Sequence, residues 1–178
     1  LAKLLATENL TVEHRKVTTA SFDVVNRVLI LPIWKTASNT VYDLLVGHEV
    51  GHALYTPDTD HDANRGFVNV LEDVRIEKMM KRTYPGLRKS FFEGYTELND
   101  DDFFGVNDED LTKIPFIDRI NLWFKGNPNI QFSKEEQVWV DRAAKTETFD
   151  EVVKLAIDLY GRAEKIECFI SNSLCLIK

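Results

Sequence analysis

An α+β fold is predicted by three observations: two short strand-like runs early in the chain, one apolar helical segment directly after them, and a remainder with helical periodicity interrupted by proline and glycine. The runs Ala20-Ser21-Phe22-Asp23-Val24 and Arg27-Val28-Leu29-Ile30-Leu31 are rich in β-branched and aromatic residues. They meet around Val25-Asn26 and end at Pro32, which reads as a hairpin. With the residues before it, it makes a small antiparallel or mixed sheet over 11–31. A helix is expected over 39–55, with Ser38 or Asn39 as its cap and Pro57 as its stop. Gly51 within it leaves room for another backbone to approach closely.

A second helix is expected over 64–80, capped by Asn64. Its apolar residues Phe67, Val68, Val70, Leu71, Val74, Ile76 and Met79 occur all round the helix, which marks it as buried. After Pro85-Gly86 the helical pattern resumes over 87–98, 111–125, 134–145 and 149 to about 170, broken at Gly126-Asn127-Pro128-Asn129. Ser133 is a cap before Glu136. Trp123, Phe124 and Trp139 are expected as core aromatics of this helical part. The 178 residues suffice for one domain, with a motif-bearing part over 1–100 and a helical part over 101–178.

The chemistry is concentrated in His48-Glu49-Val50-Gly51-His52, an H-E-x-x-H run on the first long helix. Residues four apart on a helix lie about 400° round the axis, so both imidazoles project from one face and can close on one ion. Glu49 points about 100° away from His48, where it can serve as a general base toward a water on a zinc ion rather than as a ligand. Burying two histidines and a glutamate together without an ion would be costly. The expected cofactor is therefore Zn²⁺, and the expected reaction is hydrolysis of peptide bonds by activated water, Glu49 taking the proton and passing it to the leaving nitrogen. A donor for the oxyanion is also needed; Tyr95, Tyr84 and His14 qualify by chemistry, and Tyr95 ranks first.

A catalytic zinc takes three protein ligands and keeps one position open. The second helix carries Glu72, Asp73 and Glu77. Glu72 is favoured and Asp73 is its rival; being adjacent, they point about 100° apart, so one binds the ion and the other orients a histidine ring. Arg75 and Glu77 read as ion-pair residues that hold the helix in place. The extended metzincin motif requires glycine and histidine where this chain has Tyr55 and Asp58, so it does not apply, although Asp58 could bind a cation. The run Asp58-Thr59-Asp60-His61-Asp62 reads as a hydrated loop.

The segment from Phe22 to Pro32, Val46-Gly47-His48-Glu49-Val50-Gly51-His52-Ala53-Leu54-Tyr55-Thr56-Pro57, and Asn69-Val70-Leu71-Glu72-Asp73-Val74-Arg75-Ile76-Glu77 together resemble metallopeptidases of tailed bacteriophages. They are also similar to the metal-motif region of proteins related to the CobT subunit of aerobic cobaltochelatase. The likeness covers residues 1–100. It implies a gluzincin-like zincin with His48 and His52 as ligands, Glu49 as base and an acid of the second helix as third ligand. CobT-type proteins also carry a von Willebrand A domain and work beside a ring-forming ATPase. No D-x-S-x-S motif of such a domain stands in this sequence, so an ATPase partner rests on the resemblance alone.

A net charge of −7 disfavours nucleic acid as a partner, because phosphate binding needs a basic footprint. The acidic runs Glu97-Leu98-Asn99-Asp100-Asp101-Asp102 and Asn107-Asp108-Glu109-Asp110 are expected as solvated loops or helix N-termini, with a preference for basic substrates as their functional counterpart. No apolar run approaches the length of a membrane span, so a membrane is not an expected partner. Cys168 and Cys175 read as small buried hydrophobes. Such cysteine usage fits the cytoplasm, that of the host if a phage encodes the protein. The expected partner is a protein or peptide substrate. The rival function, from a different class, is a binding or assembly module in which zinc is structural; an intact Glu49 argues against it, since a structural site has no use for a base.

Overall fold

The computed structural model describes residues 1–6 and 10–175, with residues 3, 4 and 165–175 described by their secondary structure alone. The fold is α+β, with a mixed three-stranded sheet of β1 (Thr11–Arg15), β2 (Ser21–Asp23) and β3 (Val28–Pro32) in the order β1-β3-β2. β1 runs parallel to β3, with Thr11 opposite Val28, and β2 pairs antiparallel with it, with Phe22 opposite Leu29. The hairpin is shorter than the apolar pattern suggests. Asp23 accepts the Asn26 N–H at 2.9 Å and Arg27 adopts φ 55°, so Val24 and Arg27 fall in the turn between β2 and β3, although the Arg27 carbonyl still accepts the Thr11 N–H of β1 at 3.0 Å. Leu29 and Leu31 of β3 point into the core.

One short helix precedes the sheet and six follow it in the described residues: α1 (Ala2–Leu5), then α2 (Asn39–Tyr55), α3 (Arg65–Thr83), α4 (Leu87–Asp100), α5 (Phe116–Phe124), α6 (Lys134–Lys145) and α7 (Phe149–Cys175). The Ser38 hydroxyl accepts the Val41 N–H at 3.1 Å and starts α2; Asn64 does the same for α3 through Gly66 and Phe67. Ser133 and Glu136 form a reciprocal capping box at α6. The expected helix over 111–125 is corrected to a later start: Pro115 disfavours helical backbone at the residue before it, and α5 begins at Phe116. The reading of Cys168 and Cys175 falls on side chains outside the described ones. No helix among the described residues is long and apolar enough to cross a membrane.

Two compact units are present: residues 1–59 with 76–131, and residues 60–75 with 132–178. The grouping differs from a division at residue 100, because α5 belongs with the sheet and α2, whereas the first half of α3 belongs with α6 and α7.

In the first unit α2 packs on α4 through reciprocal glycine notches. Gly47 of α2 faces Phe91, and Gly94 of α4 faces Leu44 and the Thr40 carbonyl. A Cβ at Gly94 would lie 3.1 Å from Leu44 Cβ and 3.3 Å from Thr40 O. Gly94→Ala should therefore destabilise the fold by about 1–3 kcal/mol in a urea titration despite the better helix propensity of alanine; equal or higher stability would show that the two helices can part freely. Gly51 is approached by the side chains of Ile76 and Met80, not by a backbone as the sequence suggests. Arg27 donates to the Ala53 carbonyl at 2.8 Å with its guanidinium 4.8 Å from the Phe22 ring centre, which fastens the hairpin to the end of α2. The acids Glu97 and Asp100 fall in the last turn of α4, at a helix C-terminus rather than an N-terminus or loop. Trp123 is 42% exposed, so it is not a core residue.

In the second unit Val68, Leu71, Val74, Val140, Val152, Leu155 and Leu159 are buried, and Phe67 meets Tyr160 edge-on at 5.4 Å. Trp139 is half-buried beneath the Arg142 guanidinium, 4.5 Å away.

Candidate metal centre

The helical spacing of His48 and His52 on α2 brings their rings to 5.0 Å between centroids, inclined at 74°. Each ring is held by its Nδ1 edge: His48 Nδ1 lies 3.0 Å from Glu77 Oε1, and His52 Nδ1 lies 3.0 Å from the Thr56 hydroxyl. A carboxylate can only accept, so Glu77 selects the His48 tautomer protonated on Nδ1, which leaves Nε2 as the ligand nitrogen. Glu77 is 3% exposed and is held in turn by the Tyr95 hydroxyl at 2.5 Å and by Lys81 Nζ at 3.4 Å. Burial pushes its carboxyl up, but the hydrogen bond from His48 and the charges of Lys81 and Lys125 outweigh this and hold it below the ordinary carboxylate range.

The third member of the group is Asp73, on the continuous helix α3 one turn before Glu77. One ligand atom from each of His48, His52 and Asp73 lies within 4.8 Å of the other two. A tetrahedral zinc with bonds of about 2.0–2.2 Å sets its ligands roughly 3.3–3.6 Å apart, so the side chains would close on the ion from within that 4.8 Å limit. Two imidazoles and one carboxylate form a donor set typical of zinc, and three ligands leave a fourth position for solvent or substrate. These residues could hold a metal ion.

Glu72, preferred from sequence as the third ligand, is corrected by the geometry. Its carboxylate is forked to Arg75, with Nε to Oε2 at 2.8 Å and Nη2 to Oε1 at 2.6 Å, both side chains buried. The two adjacent acids do point apart as a helix demands, but it is Asp73 that faces the histidines. A third acid, Glu77, orients the His48 ring, and it does so while also making the ion pair along α3 expected of it, with Lys81 one turn on. Its signal was present, because Asp73 and Glu77 are four residues apart and share a face just as His48 and His52 do. Thr56, four residues after His52, is a second missed support.

Glu49 is 7% exposed on α2, next to His48. Of the oxyanion candidates, Tyr95 donates its hydroxyl hydrogen bond to Glu77, Tyr84 donates to the Leu5 carbonyl at 2.7 Å, and His14 lies exposed on β1. Asp58 is exposed and outside the group. The sequence matches no family model, no curated protein and no solved structure.

Supports of this kind usually contribute ten- to a hundredfold to metal affinity. Glu77→Gln should weaken zinc binding by about that factor in competition with a chromophoric chelator. Unchanged affinity would remove Glu77 from the site.

Proposed function

We propose that the protein is a zinc metallopeptidase. The observation that carries this reading is the convergence of His48, His52 and Asp73 beside a glutamate set one residue after the first histidine. A bound zinc ion would polarise the scissile carbonyl and acidify water. The chain's own residues divide the rest of the work. Glu49, outside the ligand group, is the general base that takes the water proton and returns it to the departing nitrogen. Glu77 and Thr56 fix the ring planes of His48 and His52, and Tyr95 fixes Glu77. Tyr95 is thus a positioning residue in this reading rather than the oxyanion donor.

A zincin-like fold is the structural half of the proposal. It is supported by the small sheet whose hairpin is fastened to the H-E-x-x-H helix through Arg27. It also fits the resemblance to tailed-phage metallopeptidases and the CobT metal-motif region, with aspartate in place of the glutamate of a gluzincin. The substrate is a protein or peptide, met in the cytoplasm.

Glu49→Gln tests the reading. Hydrolysis of fluorescently labelled casein should fall about 10²–10⁴-fold with zinc content unchanged. Undiminished hydrolysis would remove Glu49 as the base, and zinc-loaded wild type without hydrolysis of any unstructured protein would favour the binding module.

A further inference from the structure

The first unit contains a cavity of about 250 Å³ lined by Thr18, Trp34, Ala37, Glu97, Asp101 and Phe103, with Val41 among its remaining walls. That volume lies below the range of sites for drug-sized ligands and suits a single side chain. Trp34 and Phe103 meet at 5.5 Å and 61°, so this wall carries π-electron density from two rings. Glu97 and Asp101 add two carboxylates, and among the described residues no lysine or arginine lines the cavity.

The placement of those acids sharpens the point. Both stand at the C-terminal end of α4, with no basic residue in that turn: Glu97 in the last turn, one of its oxygens accepting the Ser38 N–H at 3.0 Å at the start of α2, and Asp101 as the exposed C-cap. A helix C-terminus already carries about half a negative charge, so Asp101 works against the end of α4, whereas Glu97 is matched in part by the start of α2. Aromatic faces, two carboxylates and a helix C-terminus all favour one class of occupant, an organic cation.

We propose that this cavity binds the lysine or arginine side chain of a peptide substrate, an inference that rests on the peptidase reading for the word substrate. Val41 and His48 are seven residues apart on α2, two turns along one face, or about 10 Å. An extended peptide covers that length in about three residues.

Binding is measured separately from cleavage. Two acetylated, amidated heptapeptides, identical except for lysine or norleucine at one position, are titrated into the zinc-loaded protein while the Trp34 indole N–H is followed by NMR. The lysine peptide should bind about fivefold more tightly, and Asp101→Asn should abolish that preference while the norleucine peptide binds as before. Asp101 is exposed, so this variant should keep its fold. Equal affinity for the two peptides, or a preference that survives both Asp101→Asn and Glu97→Gln, would overturn the proposal without touching the peptidase reading. A lysine preference in binding, together with no cleavage of either peptide, would instead count against the peptidase reading and leave the cationic site standing.

Discussion

Zinc content by plasma mass spectrometry should fall from about one ion per chain to near zero in His48→Ala and Asp73→Ala, and stay near one in Glu72→Gln. Two ligands and water do not hold zinc at the affinity of a three-ligand site, so loss of the carboxylate is decisive. Glutamine is the appropriate change at position 72 because its amide oxygen can still accept from Arg75. The reverse result, zinc retained without Asp73 and lost without Glu72, would mean that Glu72 exchanges Arg75 for the ion on binding. The His48–His52–Asp73 grouping would then not be the ligand set. Wild type that takes up no zinc would remove the metal centre altogether.

The second large effect concerns the fold. Glu72 and Arg75 are 2% and 3% exposed and joined by two short hydrogen bonds, with Arg75 Nη1 also donating to the Glu147 carbonyl at 3.3 Å. Breaking a buried pair of this kind by removing one partner typically costs about 3–5 kcal/mol. Since whole domains are stable by about 5–15 kcal/mol, Glu72→Ala should lower the urea midpoint sharply. Replacing both partners with methionine should recover most of the loss, because a buried ion pair stabilises little over apolar groups of similar volume. A Glu72→Ala protein within 1 kcal/mol of wild type would show that Arg75 finds water or another acceptor there.

Most element boundaries were legible because they depend on local chemistry. Ser38 and Pro57 bracket α2, Asn64 starts α3, and the Ser133–Glu136 box starts α6, each through hydrogen bonds or steric limits that span only a few residues. The parallel pairing of β1 with β3 was not legible beyond a mixed or antiparallel sheet, since it joins strands thirteen or more residues apart. Trp123 shows the same limit: its size suggests burial, but the turn of α5 on which it sits faces solvent.

For the site, H-E-x-x-H by itself determined that two imidazoles share a face of one helix, because the period of an α-helix is a property of the backbone. The same period determined that Glu72 and Asp73 cannot serve one ion together. Which of them turns toward the histidines was decided only by the rotation of α3 about its axis. That rotation is set by how its all-round apolar surface packs, with Ile76 and Met80 against Gly51, and a helix apolar on every side carries no stripe from which to read it. Tertiary structure likewise brought Glu77 to His48 and Tyr95 to Glu77, contacts between residues 29 and 18 positions apart that no local pattern encodes.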